Sequence, residues 1–148
     1  MNEIKCIPLT SEHVLAVYEI ERLSFLSPWS IDALREEIIN PAARYVVAVW
    51  GEKVLGFGGM WLIIDEAHIT NIAVHPNYRN VKVGSLILEN MIYESKREGI
   101  SAMTLEVRAS NVHAQKLYTE HNFVTEGRRK AFYQDNKEDC LIMWRRKD

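Results

Sequence analysis

The second half of the chain alternates between segments of strand and helix character, and this order constrains the fold more than any other feature. Residues 67–74 (AHITNIAV) are rich in β-branched side chains, and residues 86–99 (LILENMIYESKREG) place apolar side chains at spacings of three to five. A second strand-like segment, 101–107, and a second helical segment, 112–121, follow. Two strands joined through a helix usually run parallel in one sheet. The sequence therefore predicts an α/β protein with at least one parallel strand pair.

The first half adds two helices between a first strand and a meander of three strands. Thr10 or Ser11 is the expected cap of the first helix, and Ser30 of the second. Gly58 and Gly59 lie inside a strand, which indicates a bulge or a close backbone approach. The predicted order is βααβββαβαββ, a twisted mixed sheet with helices on both faces. Its remaining segments are the strands 3–9, 43–50, 53–65, 123–133 and 140–146 and the second helix, 31–40.

Composition limits the class of protein. The 148 residues suit one domain, 1–148, and the hydrophobic fraction of 47% is enough for a core. The 18 basic and 20 acidic residues give a net charge of −2, which disfavours a nucleic-acid partner. No apolar run approaches the roughly 20 residues that span a bilayer, so we expect a cytoplasmic protein without membrane contact. Cys6 and Cys140 are expected to be buried thiols in strands.

The segment from His68 to Ser85 combines the features of an anion site. A strand leads into a loop with Arg79 and Lys82, and that loop opens directly into a helix with Gly84 in its first turn. Free N–H groups and the helix dipole attract anions there, and small residues admit a phosphate. Neither GxxxxGK[ST] nor GxGxxG is present, and an ordinary strand–loop–helix connection remains an alternative.

Here the residues resemble a known family. The string IAVHPNYRNVKVGSLILENMI (72–92) resembles the acetyl-CoA-binding motif of the GNAT N-acetyltransferases, Q/R-x-x-G-x-G/A after a strand that ends in V-x-P. SFLSPWS (24–30), LEVRASNVHAQKLYTEHNF (105–123) and the late FY…EDCLIMW are similar to the bacterial RimI subfamily. Those enzymes acetylate the N-terminal α-amine of a small-subunit ribosomal protein. The resemblance covers nearly the whole chain, from the first helix to Trp144.

The resemblance implies the GNAT fold, acetyl-CoA as cosubstrate and a role for individual residues. Glu106 matches the family's general base and Tyr118 its general acid. The backbone of the strand end would pair with the pantetheine arm, the loop and helix start would hold the pyrophosphate, and the start of the fourth helix would add a hydrogen bond. The implied cofactor-binding residues are Ile72, Ala73, Val74, Arg79, Asn80, Val81, Lys82, Val83, Gly84, Ser85 and Asn111.

The two catalytic candidates also have ordinary structural interpretations. Glu106 lies in a strand and shares its face with Thr104 and Arg108. We expect it to be partly buried, which strengthens a carboxylate as a base, but a surface pair with Arg108 or a lysine is the alternative. Tyr118 can donate a proton to a leaving thiolate, or it can simply pack on the sheet. The aromatic residues Phe25, Trp29, Trp61 and Tyr133 are candidates for the peptide groove, although each also suits the core.

Two positions depart from the family pattern. Lys82 stands at the first glycine of the motif, and because a helix begins directly after it we expect a negative φ there. A lysine at this place can add charge to a pyrophosphate site or crowd it. Asn122 stands where the family usually has glycine before phenylalanine, and asparagine tolerates the left-handed conformation.

Other chemistries find less support in the sequence. The five histidines lack HxxxH and HExxH spacing, so no metal site is expected, and GxSxG is absent. We expect the basic runs 128–130 and 145–147 to lie on solvent-exposed faces and not to bind nucleic acid. The predicted function is acetyl transfer to the N-terminal α-amine of a protein, with a ribosomal protein as partner and a monomer or weak dimer as the working form. A lysine or small-amine acetyltransferase and a non-catalytic acyl-CoA-binding protein are the alternatives.

Overall fold

The computed structural model describes residues 3–79 and 82–146, and these follow the predicted order of elements. Two short 3-10 turns, Ser11–His13 and Pro76–Tyr78, precede α1 and follow β4. The strands are β1 Ile4–Pro8, β2 Ala43–Trp50, β3 Lys53–Ile63, β4 Glu66–Val74, β5 Ala102–Arg108, β6 Val124–Arg129 and β7 Cys140–Arg146. The helices are α1 Val14–Ser24, α2 Ile31–Ile38, α3 Val83–Arg97 and α4 Val112–Glu120.

The seven strands form one sheet in the order β1-β2-β3-β4-β5-β7-β6. Neighbouring strands are antiparallel, except for β4 and β5, which are parallel. This pair is the one joined through α3, so the predicted parallel pairing is confirmed. The predicted α/β class and the mixed sheet are confirmed with it.

Helices cover both faces of the sheet, as predicted. On one face, Ile87 and Met91 of α3 and Tyr118 of α4 belong to the larger core cluster. On the other face, Ile20 of α1 and Leu34 of α2 pack against the strands. Successive residues of β2 alternate between these two clusters, because side chains along a strand point to opposite faces.

The paired glycines of β3 lie where the pairing with β4 is irregular. The register between β3 and β4 shifts after Gly59, which faces Asn71 while the next residue faces Ile69. A Cβ atom on Gly59 would lie 2.2 Å from the Tyr45 ring, and one on Gly58 would lie 2.6 Å from Ile87. A bulge is therefore present, with its extra residue, Thr70, in β4 opposite the glycines, and the groups that approach the glycines closely are side chains.

Some local expectations were wrong. The strand predicted over 123–133 ends at Arg129, because the Asp139 carboxylate accepts hydrogen bonds from the Arg128 side chain and the Ala131 N–H and turns the chain into a loop. Cys140 is buried, but Cys6 is only partly covered, since it lies on the edge strand β1. Neither cysteine is in a disulfide. Among the described residues, no helix is long and apolar enough to cross a membrane.

Candidate active site between β4 and β5

The sheet opens between its two parallel strands. Register pairs join β4 to β5 only from Glu66 to His68, opposite residues 102–104. β4 then continues to Val74 while it remains paired with β3 on its other side. Beyond His68, one edge of β4 therefore has no partner strand among the described residues and faces a gap. Unpaired backbone groups at such an edge can accept an extended ligand as an added strand.

The direction in which each N–H and C=O group of β4 points decides which residues can bind a ligand in that gap. The His75 N–H donates to the Leu55 carbonyl of β3 at 2.8 Å. Because the groups alternate along a strand, Ala73 also faces β3, whereas Ile72 and Val74 direct their N–H and C=O groups toward the gap. Of the three residues predicted to pair with pantetheine, two therefore have backbone groups at the open edge.

Arg79 lies across the end of this edge. Its Nε donates to the Val74 carbonyl at 3.0 Å, and its Nη2 donates to the Ser24 hydroxyl at 3.2 Å at the end of α1. The guanidinium thus fixes the loop after β4 against both elements. The predicted pyrophosphate contact of Arg79 stays a prediction, and Asn80 and Val81 lie outside the described residues.

The sequence prediction of a negative φ at Lys82 is wrong. It is the N-cap of α3, with φ 63° and ψ 27°, in the left-handed region. The expectation failed because the N-cap precedes the helix and is not bound to helical dihedral angles. This conformation is the one that glycine adopts without strain, which gives a physical reason for glycine at this position of the motif. The lysine side chain is exposed.

The first turn of α3 retains the features of an anion site. The N–H groups of Val83, Gly84 and Ser85 have no partner within the helix, since the first intrahelical bond runs from Leu86 N to Lys82 O. A Cβ on Gly84 would lie 3.4 Å from the Leu117 side chain, so the small residue also suits the approach of α4. The helix start can therefore hold a phosphate group.

Glu106 lies on β5 with an exposed side chain, which corrects the expectation of partial burial. The structural alternative, a pair with Arg108, is also wrong. Arg108 instead binds Asp135 at 2.7 Å and Glu138 at 3.5 Å. Within the described part of the chain, the Glu106 side chain forms neither a hydrogen bond nor an ion pair, so its carboxylate is available to a ligand.

Tyr118 is buried on α4, with its ring centroid 5.7 Å from that of Phe123. Burial raises the pKa of Tyr118 well above its usual range, and the nearby Tyr133 adds to this effect. Its hydroxyl forms no hydrogen bond with another described residue. The phenol is thus kept neutral, as a proton donor requires.

Tyr133 lies within electrostatic range of both catalytic candidates. It lies in the loop between β6 and β7, and burial raises its pKa to about 12; Cys140 and Glu106 add to this rise, whereas Arg108 opposes it. Its electrostatic interactions therefore reach both Glu106 and Tyr118. Sequence reasoning named Tyr133 only as a possible groove residue.

Asn111 begins α4, where its Oδ1 accepts a hydrogen bond from the Ala114 N–H at 3.0 Å. The side chain is the N-cap of this helix. Its Nδ2 group forms no hydrogen bond with another described residue and can still donate to a ligand. At the other end of this helix, Asn122 has a φ of 71°, which confirms the expected left-handed conformation.

The remaining aromatic candidates lie beside the segment between α1 and α2. The ring centroids of Trp29 and Trp61 are 6.5 Å apart, and Trp61 is 37% exposed. Phe25 and Trp29 are partly buried against the core cluster below α1. These two side chains therefore combine a core contact with a surface position. The two interpretations from the sequence, a groove residue and a core residue, do not exclude each other here.

Two loops that are distant in sequence meet at this site. The Ser27 hydroxyl donates to Asp135 at 3.0 Å, and Asp135 is also held by Arg108. Sequence reasoning missed Ser27, Asp135 and this role of Arg108. The position of Arg108, two residues after Glu106 on the same strand face, was the available signal.

Residues 14–123 match the profile of the Acetyltransferase (GNAT) family. The chain therefore belongs to the GNAT family of acetyltransferases, and the predicted enzyme class, an acyltransferase, is confirmed. Among the described residues, no group of histidine, cysteine, aspartate or glutamate side chains is arranged to hold a metal ion.

Individual relatives narrow the comparison. A Bacillus subtilis (strain 168) protein, provisionally named as ribosomal protein bS18-alanine N-acetyltransferase, is 41% identical over 90% of this chain and 89% of its own length. The crystal structure of the Escherichia coli ribosomal-protein-S18-alanine N-acetyltransferase matches with a TM-score of 0.89 and 30% identity, over 99% of this chain and 94% of that one. The resemblance on which the sequence prediction rested is confirmed.

A third comparison concerns the fold alone. The paia N-acetyltransferase of Thermoplasma acidophilum, solved in complex with coenzyme A, matches with a TM-score of 0.82 and 20% identity. The match covers 97% of this chain and 99% of that one.

Proposed function

We propose that this chain is a single-domain enzyme, residues 1–148, that transfers the acetyl group of acetyl-CoA to the N-terminal α-amine of a protein. The observation that carries the proposal is the gap between β4 and β5, which offers unpaired backbone of β4 on one side and is bordered on the other by the part of β5 that carries Glu106. The relatives named for acetylation of ribosomal protein bS18 support a ribosomal protein as the substrate. Because ribosomal proteins are found in the cytoplasm, the proposal includes a cytoplasmic location for this enzyme.

The residues around the gap fit acetyl-CoA. Ile72 and Val74 can exchange backbone hydrogen bonds with the amides of an extended pantetheine arm. The N–H groups at the start of α3 can hold the pyrophosphate, with Lys82 as an added positive charge. The Asn111 amide can donate from the start of α4. The bound thioester supplies an activated acetyl group.

The Val74 carbonyl would accept two hydrogen bonds when pantetheine is bound. Its carbonyl already accepts from the Arg79 side chain. A carbonyl oxygen has two lone pairs, so it can accept from Arg79 and from a pantetheine amide together. Arg79 would then hold the strand end and leave the cofactor contact in place.

In this proposal Glu106 is the general base. An α-amine has a pKa of about 8, so most of it carries a proton at pH 7 that must leave before or during attack on the acetyl carbon. The Glu106 carboxylate is exposed and has no ion-pair partner among the described residues, and it accepts this proton directly or through one water. The Ile72 N–H points into the gap and stabilises the negative charge that develops on the acetyl oxygen.

In this proposal Tyr118 is the general acid. As the new C–N bond forms and the C–S bond breaks, the departing sulfur takes up negative charge. The buried phenol donates its proton to that sulfur, and its high pKa keeps it protonated until then. The transfer is direct, within a ternary complex, and no cysteine is needed as an acyl carrier.

The decisive experiment compares two forms of one peptide. A peptide that begins Ala-Arg and contains an internal lysine is incubated with the enzyme and acetyl-CoA, with a free or a blocked N-terminus. We expect acetylation of the free peptide at its α-amine and none of the blocked form. Equal labelling of the internal lysine in both forms would indicate a lysine acetyltransferase. Acetyl-CoA binding without turnover of any amine would indicate a non-catalytic binding protein.

A further inference from the structure

Glu21 is a buried carboxylate without a positively charged partner among the described residues. It lies on α1 and is 1% exposed. Its Oε1 accepts from the Trp29 backbone N–H at 3.0 Å, and its Oε2 accepts from Asn71 Nδ2 at 2.9 Å. Burial raises the pKa of Glu21, and these two hydrogen bonds oppose that effect. An apolar residue would fill the same place without a desolvation cost.

The two donors belong to the two sides of the proposed site. Trp29 lies in the segment between α1 and α2 that carries the aromatic groove candidates. Asn71 lies on β4 at the bulge, where the register shifts and the strand has just left β5. The next residue is Ile72, whose N–H points into the gap. Glu21 thus links the groove segment to the strand that carries the proposed oxyanion donor.

The side chain of Asn71 has a defined orientation. Its Oδ1 accepts from the Thr70 hydroxyl at 3.0 Å, and that hydroxyl is also bonded to the Tyr45 hydroxyl at 2.8 Å. With Oδ1 occupied by Thr70, the Nδ2 group is the one that faces Glu21. Only an acceptor can therefore stand at position 21 without disturbing this arrangement.

We propose that Glu21 is a positioning residue for acetyl transfer. Through its hydrogen bonds with Asn71 and with the Trp29 main chain, it holds the Ile72 N–H at a fixed distance from the segment between α1 and α2, along which the amine enters. This inference rests on the proposed function. Glu21 touches neither the amine nor the acetyl group, and it acts by keeping two chain segments in register. Small displacements of such donors reduce turnover more than they reduce substrate binding.

The test exchanges the acceptor and the donor between the two side chains. Glu21→Gln places an NH₂ group against the NH₂ of Asn71 and removes one hydrogen bond. We expect kcat for the free Ala-Arg peptide to fall at least tenfold, with the acetyl-CoA Kd within twofold of the wild type. The double variant Glu21→Gln/Asn71→Asp restores a donor facing an acceptor, and its kcat should return to within threefold of the wild type.

The matched control is Ser95→Ala. Ser95 is also buried, and its hydroxyl bonds to the Ile92 carbonyl within α3, away from the gap. This variant should melt at a lower temperature while its kcat stays unchanged well below that temperature. The control separates a loss of stability from a loss of positioning.

The outcomes are distinguishable. A loss of kcat under threefold in folded Glu21→Gln, or a double variant no faster than the single one, overturns the positioning role. If the double variant does not fold, the single variant's kcat at unchanged acetyl-CoA Kd decides alone. A wild-type enzyme that acetylates no free α-amine refutes the proposed function and this inference with it, whereas an active wild type beside an equally active Glu21→Gln refutes the inference alone.

Discussion

The guanidinium of Arg108 lies 3.9 Å from the centroid of the Tyr133 ring, and from that position it also holds Asp135 by two hydrogen bonds, of 2.7 and 3.1 Å. Arg108 is therefore the link between β5, which carries Glu106, and the loop between β6 and β7. Through Asp135 the same contact extends to Ser27 in the segment between α1 and α2. The loop between β6 and β7 and the segment between α1 and α2 are thus joined to each other, and Arg108 ties both to the strand that carries the proposed base.

Replacement of Arg108 should weaken peptide binding and spare cofactor binding. In Arg108→Gln the loop loses a charge-assisted pair and a cation–π contact. We expect the KM for the free Ala-Arg peptide to rise about tenfold, which corresponds to about 1.4 kcal/mol. The acetyl-CoA Kd, measured by calorimetry, should stay within twofold of the wild type.

Arg146→Gln is the control for this change. Arg146 also binds a carboxylate, Glu126 at 2.8 Å, and lies 4.3 Å from the Trp144 ring centroid. It stands opposite Ala102 in the register of β5 and β7, at the other end of the strand from Arg108. Its variant should leave the peptide KM unchanged. Equal effects of the two variants would mean that Arg108 acts only on stability.

Asp135 should make the stability of the protein depend on pH in the acid range. The hydrogen bonds from Arg108 hold the pKa of this carboxyl below its usual range, with smaller effects of Ser27 and of the local backbone. A carboxyl with a lowered folded-state pKa contributes stability above its unfolded-state pKa and loses it as pH falls through the folded value. Wild-type Tm should therefore exceed that of Asp135→Asn at pH 7, and the difference should begin to shrink near pH 4, about the unfolded-state pKa, and vanish only below the lower folded-state pKa.

The check for this prediction is a series of thermal melts from pH 7 to pH 2. Asp32→Asn serves as the control, because Asp32 is 92% exposed and lies 3.9 Å from Arg35 on a helix surface. Its melting curve should follow the wild type throughout. A Tm difference for Asp135→Asn that stays constant down to pH 2 contradicts the assigned ion pair.

Lys82 should affect stability and cofactor binding through separate properties. Lys82→Gly and Lys82→Ala both remove the charge, but only glycine relieves the left-handed strain. After the unfolded-state entropy of glycine is subtracted, Lys82→Gly should be more stable than Lys82→Ala by about 0.5–1 kcal/mol. Both variants should bind acetyl-CoA within about tenfold of the wild type and with a weaker salt dependence, because one cation has gone.

Titrations with acetyl-CoA at two salt concentrations, together with urea denaturation, test this pair. Lys5→Ala on the edge strand is the control and should leave the salt dependence unchanged. Binding that tightens by well over tenfold in Lys82→Gly would mean that the lysine blocks the loop. A non-catalytic role would then become the better account of the chain.

Local sequence patterns predicted most of the fold. β2 and β7 match their predicted limits, since alternating β-branched segments bounded by turn residues specify strands locally. The parallel pairing of β4 and β5 followed from the helix between them. Lys82 was mispredicted because the dihedral angles of an N-cap depend on how the whole loop closes.

The parts of the site that were missed depend on contacts between distant segments. Ser27 and Asp135 are separated by 108 positions, and no local pattern relates them. Glu21 offered a weak signal, because it follows Val17 by four positions and thus places a carboxylate on the apolar face of α1. Its partner Asn71 could be found only once the bulge in β4 was placed.

The most direct test of the account is the turnover of Glu106→Gln and Tyr118→Phe with the free Ala-Arg peptide, measured beside the acetyl-CoA Kd. Both substitutions keep the size of the side chain and remove the proton acceptor or donor. The account predicts that kcat/KM falls by roughly ten- to ten-thousand-fold in each variant, with the acetyl-CoA Kd little changed. Turnover close to the wild-type value in both folded variants would contradict the assignment of Glu106 as base and Tyr118 as acid.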